Sequence, residues 1–190
     1  MGRSKPLLPW HGGLTVLETV LRNVLEHPFR TVACVIGHKA DEIESAIHIG
    51  DPRLVWLRNS DYERGQGTSF TVGARYLQGI GCTSFAVFLG DQPAVRGAPV
   101  SRIIEAGAER LAGDRLKGPF AVQPWVGEAP GHPVFLGSTE LLDLSVLQGD
   151  VGAKALFPQM SEIVRVSMDE PGLTADLDTP EQYEKAIRNL

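Results

Sequence analysis

The sequence predicts an α/β fold, with a mostly parallel sheet covered by helices on both faces. Three observations predict it. Residues 31–36 (TVACVI) and 84–89 (SFAVFL) are short, continuous apolar runs rich in β-branched or aromatic side chains, as in strands buried on both faces. Residues 14–26 (LTVLETVLRNVLE) put Leu14, Leu17, Val20, Leu21, Val24 and Leu25 on one helical face. Segments of these two kinds alternate along almost the whole chain, the order that builds parallel strands joined by crossover helices.

The remaining elements follow in order. His27-Pro28 ends the first helix, and Gly37-His38 turns the chain out of the first strand. Residues 40–47 read as a short helix and residues 53–58 (RLVWLR) as a second strand. Gly65-Gln66-Gly67 is a glycine turn, with Thr68 expected to cap a helix running to about residue 78. After the strand at 84–89 comes Gly90-Asp91-Gln92-Pro93. Pro99 suits the first turn of a helix reaching about residue 111. Residues 120–123 and 133–136 read as short strands, with a loop or flexible hairpin between them. Residues 138–144 and 152–157 read as helical, and residues 162–166 (EIVRV) alternate like a half-exposed strand. Thr179 is expected to cap a final helix over residues 181–188.

Composition narrows the function classes. With 190 residues, 43% hydrophobic and 22% charged, the chain is long enough for a real core and is expected to form a single domain over residues 1–190. Its net charge of −5 and the lack of a dense Lys/Arg run argue against a nucleic-acid partner. No apolar stretch approaches the roughly 18 residues of a membrane span, so no membrane partner is expected. Cys34 and Cys82 sit in apolar runs without CxxC spacing and read as reduced thiols. No secretory signal pattern follows Met1, which makes the cytoplasm the expected compartment.

In an open α/β sheet, ligands bind beyond the carboxyl ends of the strands. Asp91 stands there, placed either to hold a metal ion or to cap the following turn. Mg²⁺ takes one or two carboxylates together with phosphate oxygens and water. Asp176 and Asp178 alternate onto one side of an extended segment, and either complete that site or cap the last helix. Gly65, Gly67, Thr68 and Ser69 open a helix, where free amides and two hydroxyls suit an anion or a ribose. The segment is not a P-loop, because GxxxxGK[ST] occurs nowhere. Lys5, on the stiff Pro6-Leu7-Leu8-Pro9 turn, either neutralises phosphate or lies exposed. His132 opens a strand and either touches a ligand or is merely exposed.

The order of these segments carries a resemblance. Met1-Gly2-x-x-Lys5-Pro-Leu-Leu-Pro is followed by Gly65-x-Gly67-Thr-Ser, Leu89-Gly90-Asp91-Gln92-Pro93, Gly131-His132-Pro133, Gly149-Asp150-x-Gly152-Ala153 and Asp176-Leu-Asp178-Thr-Pro180-Glu181. This series resembles the MobA-like NTP transferase family, and within it the molybdenum cofactor cytidylyltransferases. The resemblance implies a Rossmann-like three-layer sandwich of the nucleotide-diphospho-sugar transferase type. It implies a Mg²⁺-dependent transfer of CMP from CTP to molybdopterin with release of pyrophosphate. It assigns Lys5 and Asp91 to catalysis, and Gly2, Lys5, Gly65, Gly67, Thr68, Ser69 and Asp91 to the nucleotide. Gly131, His132 and Pro133 fall to the acceptor, and Asp91 and Asp176 to the metal. A related transferase using GTP or a sugar phosphate is the nearest alternative. The family pattern also places a strand and a glycine-rich loop, Leu-Ala-Ala-Gly-x-Ser-x-Arg, ahead of the Met-Gly-x-x-Lys element. This sequence begins at Met1, so unpaired backbone is expected at the centre of its sheet. The absent loop favours a second alternative, a catalytically inactive protein that holds the cofactor for a molybdoenzyme apoprotein.

Overall fold

The computed structural model describes residues 4–113, 118–175 and 177–188. Helix α1 (Val16–Leu25) buries Leu17, Val20, Leu21 and Val24 of its predicted face, together with Val16. Thr15 caps it by accepting from the Glu18 amide at 3.2 Å, and the Glu18 carboxylate pairs with Arg22 one turn on. Strand β1 (Val32–Ile36) pairs in parallel with β2 (Leu54–Arg58), and α2 (Ala40–Ala46) crosses between them. Val32, Cys34 and Ile36 join the buried face of α1 and Ile43 of α2 in one core.

The larger sheet has five strands. Strand β3 (Ser84–Val87) runs antiparallel to β6 (Val134–Gly137), and β6 runs antiparallel to β4 (Phe120–Val126). Strand β7 (Glu162–Met168) lies parallel to β4 along its whole length. The two-residue β5 (Ala129–Pro130) pairs with Trp125 and Val126. Because β7 covers one edge of β4 completely, β5 and β6 share the other, and residues 131–133 bulge between them. Helix α3 (Gln66–Gly79) packs on one face through Ala74, against Ala121, Leu136 and Leu156. Helix α4 (Ala98–Ala112) packs on the other through Val100 and Ile103, against Phe120, Val122 and Phe135. Helix α5 (Pro180–Arg188) closes the described chain.

This is the α/β, Rossmann-like arrangement the sequence predicts, with one difference in the sheet. Pairing is mixed, parallel for β1 with β2 and β4 with β7, and antiparallel around β6. The cause is the stretch after residue 123, read as a loop or flexible hairpin, which is a hairpin. Strand β4 continues through Pro124 to Val126, turns at Gly127-Glu128 and returns antiparallel. Among the described residues β1 pairs only with β2 and β3 only with β6, so each keeps an unpaired edge. The segments read as helical at 138–144 and 152–157 are short 3-10 turns, Thr139–Leu141, Leu144–Val146 and Ala153–Gln159. No helix among the described residues is long and apolar enough to cross a membrane.

Candidate active site

Lys5 lies in a 3-10 turn, Lys5–Leu7, anchored by Leu7 against the α1 core and by the Val16 amide donating to the Leu8 carbonyl at 2.9 Å. Its ammonium donates to Asp178 Oδ1 at 2.8 Å and lies 3.8 Å from Asp91 Oδ2. All three side chains are part-exposed, so the group is open to a ligand from solvent.

Each partner is held by structure that the motifs alone do not reveal. Asp91 follows β3, and the turn after it is pinned by buried Asn23 of α1, whose amide donates to Pro93 O at 2.9 Å. Asp178 is fixed by a reciprocal cap at the start of α5. Gln182 Oε1 accepts from the Asp178 and Thr179 amides at 2.8 Å, and Thr179 Oγ1 accepts from the Gln182 amide at 3.2 Å. The cap uses Asp178's backbone and leaves its carboxylate for Lys5. Asp176, the residue the sequence favoured as second metal carboxylate, lies outside the described residues, as does Gly2.

Among the described residues no set of three or more His, Cys, Asp or Glu is arranged around a metal position. Asp91 and Asp178 nevertheless converge on one cation, the Lys5 ammonium. Two carboxylates with open space for phosphate and water are the donor set Mg²⁺ favours.

The glycine turn forms a second group. Gly65 has φ +112°, and a Cβ there would stand 2.3 Å from the Gly149 carbonyl carbon. The Gly67 amide donates to Gly149 O at 3.0 Å, which places the Gly149-Asp150 motif directly against this turn. Two expectations are corrected here. Helix α3 starts at Gln66 with Gly65 in the cap position, so Thr68 is inside the helix. The amides proposed as an anion cradle are also engaged, Gly65 with Tyr62 O, Gly67 with Gly149 O and Thr68 with Gly65 O. The Thr68 hydroxyl is within 2.8 Å of Gly65 O and accepts from Asn59 Nδ2 at 2.9 Å, so it holds the turn. The Ser69 hydroxyl also accepts from Asn59, at 2.9 Å. Asn59, 5% exposed at the end of β2, is a residue that motif reading passes over. Its signal was a polar side chain immediately after a strand at the ligand-binding edge.

Gly131, His132 and Pro133 form the third group. The Gly131 amide donates to Pro124 O at 2.8 Å, and Gln123 Nε2 donates to Gly131 O at 3.3 Å. The His132 amide donates to Leu173 O at 3.0 Å. A Cβ on Gly131 would meet that same Leu173 carbonyl oxygen at 2.6 Å, so glycine allows the close approach. The peptide between His132 and Pro133 is cis. Leu173 belongs to the segment that leads on toward Asp178, so one stretch of chain buttresses His132 and supplies a carboxylate to Lys5.

A Rossmann-like sheet with a lysine between two carboxylates beside its third strand defines an α/β domain suited to handling phosphates. The comparison with known families gives the particular class. The chain belongs to the MobA-like NTP transferase domain family, whose model matches residues 1–164. It is a nucleotidyltransferase. Purine catabolism protein PucB of Bacillus subtilis (strain 168) is 27% identical over 203 residues, spanning 100% of this chain and 91% of PucB. Among solved structures, Rv0371c from Mycobacterium tuberculosis H37Rv superposes with a TM-score of 0.77 at 22% identity, covering 100% of this chain and 92% of that one. The same protein complexed with manganese gives 0.72 at 22% identity, with 98% and 93% covered. A nucleotidyl transferase from Methanothermobacter thermautotroptrophicus gives 0.72 at 24% identity, with 97% and 84% covered. At these identities the structures establish the shared fold.

Proposed function

We propose that this protein is a Mg²⁺-dependent cytidylyltransferase that transfers CMP from CTP to molybdopterin. A phosphate oxygen of the acceptor bonds to the α-phosphorus of CTP, the bond from that phosphorus to the bridging oxygen breaks, and pyrophosphate leaves. The observation that carries the reading is the convergence of Lys5, Asp91 and Asp178. In such a transfer the protein mainly positions reactants and neutralises charge. Lys5 is the compact cation for phosphate oxygens. Mg²⁺, held by Asp91 with Asp178 or Asp176, would supply further neutralisation of phosphate charge. The manganese complex of Rv0371c supports a divalent ion in this fold. The rigid turn at residues 65–69 forms the nucleotide wall, and His132 with Gly131 and Pro133 faces the acceptor.

The choice of CTP rests on the Gly-His-Pro element, and the choice of molybdopterin on the family branch that element resembles. The reading places the protein in the cytoplasm, with a molybdoenzyme apoprotein receiving the product. Calorimetric titration with CTP and with GTP, each with Mg²⁺, tests it. Selective CTP binding supports the cytidylyl assignment. Selective GTP binding transfers the same chemistry to the guanylyl alternative. Binding of neither nucleotide favours the inactive cofactor-holding alternative.

A further inference from the structure

A cavity of about 330 Å³ lies between the larger sheet and the Ala153–Gln159 segment. It is lined by Gln123 and Trp125 of β4, Ile163 and Arg165 of β7, and Lys154 and Phe157 of that segment. Register explains the gathering. Ala121 pairs with Ile163 and Gln123 with Arg165, so alternation turns the four β4 and β7 lining residues to one face, with Pro130 of β5 beside them. None of them belongs to the Lys5/Asp91/Asp178 cluster, although Pro130 precedes Gly131 and Gln123 donates to the Gly131 carbonyl at 3.3 Å, so the cavity borders the Gly131-His132-Pro133 group.

Three features give this cavity a chemical preference. Trp125, Phe157 and Ile163 make an apolar wall. Lys154 and Arg165 place two cations at it without a carboxylate partner among the described residues, in a chain of net charge −5. Arg165 lies over the Trp125 ring with its guanidinium carbon 4.1 Å from the centroid, a cation–π contact that holds the charge at the cavity wall. The Trp125 indole N–H is enclosed without an acceptor among the described residues, a state buried donors seldom keep. The volume is near the lower end of small-molecule sites, about 300–1,000 Å³. It suits one ring and its phosphate better than a nucleoside triphosphate.

We propose that this cavity is a second ligand site, separate from the transfer centre, for a phosphate monoester with a flat apolar body. Phosphate is preferred to carboxylate because two cations line the one cavity and the phosphate carries the larger charge. Phenyl phosphate is the probe, and the indole N–H resonances of Trp10, Trp56 and Trp125 are the readout, with Trp125→Phe providing the assignment. Phenyl phosphate is expected to move the Trp125 signal saturably in the millimolar range and leave the other two in place. Benzoate binds more weakly, and benzyl alcohol, which lacks the charge, at least fivefold more weakly. Arg165→Ala and Lys154→Ala, both at exposed positions, each weaken binding at least fivefold. Asp91→Asn leaves it unchanged. Three results overturn the proposal: no saturable shift at Trp125, equal binding of benzyl alcohol, or binding that both cation variants leave intact. Loss of the shift in Asp91→Asn also overturns it, because the ligand would then sit in the transfer centre. None of these readouts depends on nucleotide or molybdopterin.

Discussion

Lys5 and Asp178 are 173 positions apart in the chain, and the ammonium of one donates to the carboxylate of the other at 2.8 Å. The two ends of the chain are joined next to this pair. The Tyr183 hydroxyl donates to the Pro9 carbonyl, and its ring packs against Trp10. Helix α5 thus docks on the N-terminal turn and carries Asp178 to Lys5, with Asp91 reaching the same ammonium from the sheet. The candidate site therefore depends on both the Lys5–Trp10 segment and helix α5.

Lys5 occupies the position between the two carboxylates that a metal ion would also use. Lys5→Met removes the competing cation, so Mn²⁺ alone should bind about two- to fivefold more tightly, the scale of a part-exposed ion pair. The same variant should lose on the order of 10²-fold in transfer rate if, as proposed, Lys5 neutralises phosphate charge. Paramagnetic titration of Mn²⁺ and a pyrophosphate-release assay read the two effects separately. If both metal affinity and rate fell, Lys5 would be a structural residue.

Asn59→Ala should destabilise the turn at residues 65–69, the proposed nucleotide wall. It strips the hydrogen bonds to the Thr68 and Ser69 hydroxyls and to the Asp61 amide. The expected cost is about 1–3 kcal/mol. In a chain of this size that lowers the melting temperature by about 3–9 °C. Nucleotide affinity should fall further than stability alone accounts for, measured at a temperature where the variant is fully folded.

Gly65→Ala should cost at least about 2 kcal/mol, because its backbone is left-handed and the new carbon meets the Gly149 backbone. Gly50→Ala is the control, since nothing lies within 4 Å of the added carbon and its φ is ordinary. Denaturant unfolding of the two variants should separate them clearly. Equal stability would remove the contact between the glycine turn and Gly149 from the account.

His27 gives the protein an acid-sensitive element. Burial lowers its pKa below the usual histidine value, and the charge of nearby Glu26 partly offsets this. The unfolded chain therefore binds more protons between the folded value and about 6.5, so this contribution to stability is lost as pH falls through that range. His27→Gln should flatten the melting-temperature profile between pH 7 and pH 5 relative to the parent. An unchanged slope would show that His27 already accommodates its proton in the fold.

Cys34 and Cys82 should differ in reactivity for a similar reason. Burial pushes the Cys34 thiol up to about 12, whereas Cys82 is only half-buried. Iodoacetamide at pH 8 should modify Cys82 first and reach Cys34 only as fast as the fold opens. Equal labelling of the two in the native protein would contradict the packing of β1.

The strands and helices of the first half were legible because apolar runs and helical spacing leave little choice there. The runs at residues 31–36 and 84–89 are strands over Val32–Ile36 and Ser84–Val87, with burial alternating along the first and confined to Phe85 in the second. The second half was harder to read. Pro124 lacks an amide hydrogen and looked like the end of a strand. Strand β4 continues past it because β7 supplies partners along one edge and the Gly131 amide bonds to the Pro124 carbonyl on the other. That return strand makes the sheet mixed. In the site, Lys5, Asp91 and the glycine turn were visible as motifs. The residues that hold them were not, because Asn23, Asn59 and Gln182 act through tertiary hydrogen bonds that no local spacing encodes. Asp178 read equally well as a cap. Its segment does both jobs, since the backbone is capped while the carboxylate stays available. The second cavity depends on the β4 and β7 register and had no sequence signal.

Pyrophosphate release from CTP in the presence of Mg²⁺ and molybdopterin, measured for the parent chain and Asp91→Asn, tests the central claim most directly. Release with CTP should be well above that with GTP, abolished by chelation of the metal and reduced on the order of 10²-fold or more in Asp91→Asn. Release that is equal in the parent and in Asp91→Asn, or that persists without a divalent ion, would contradict it.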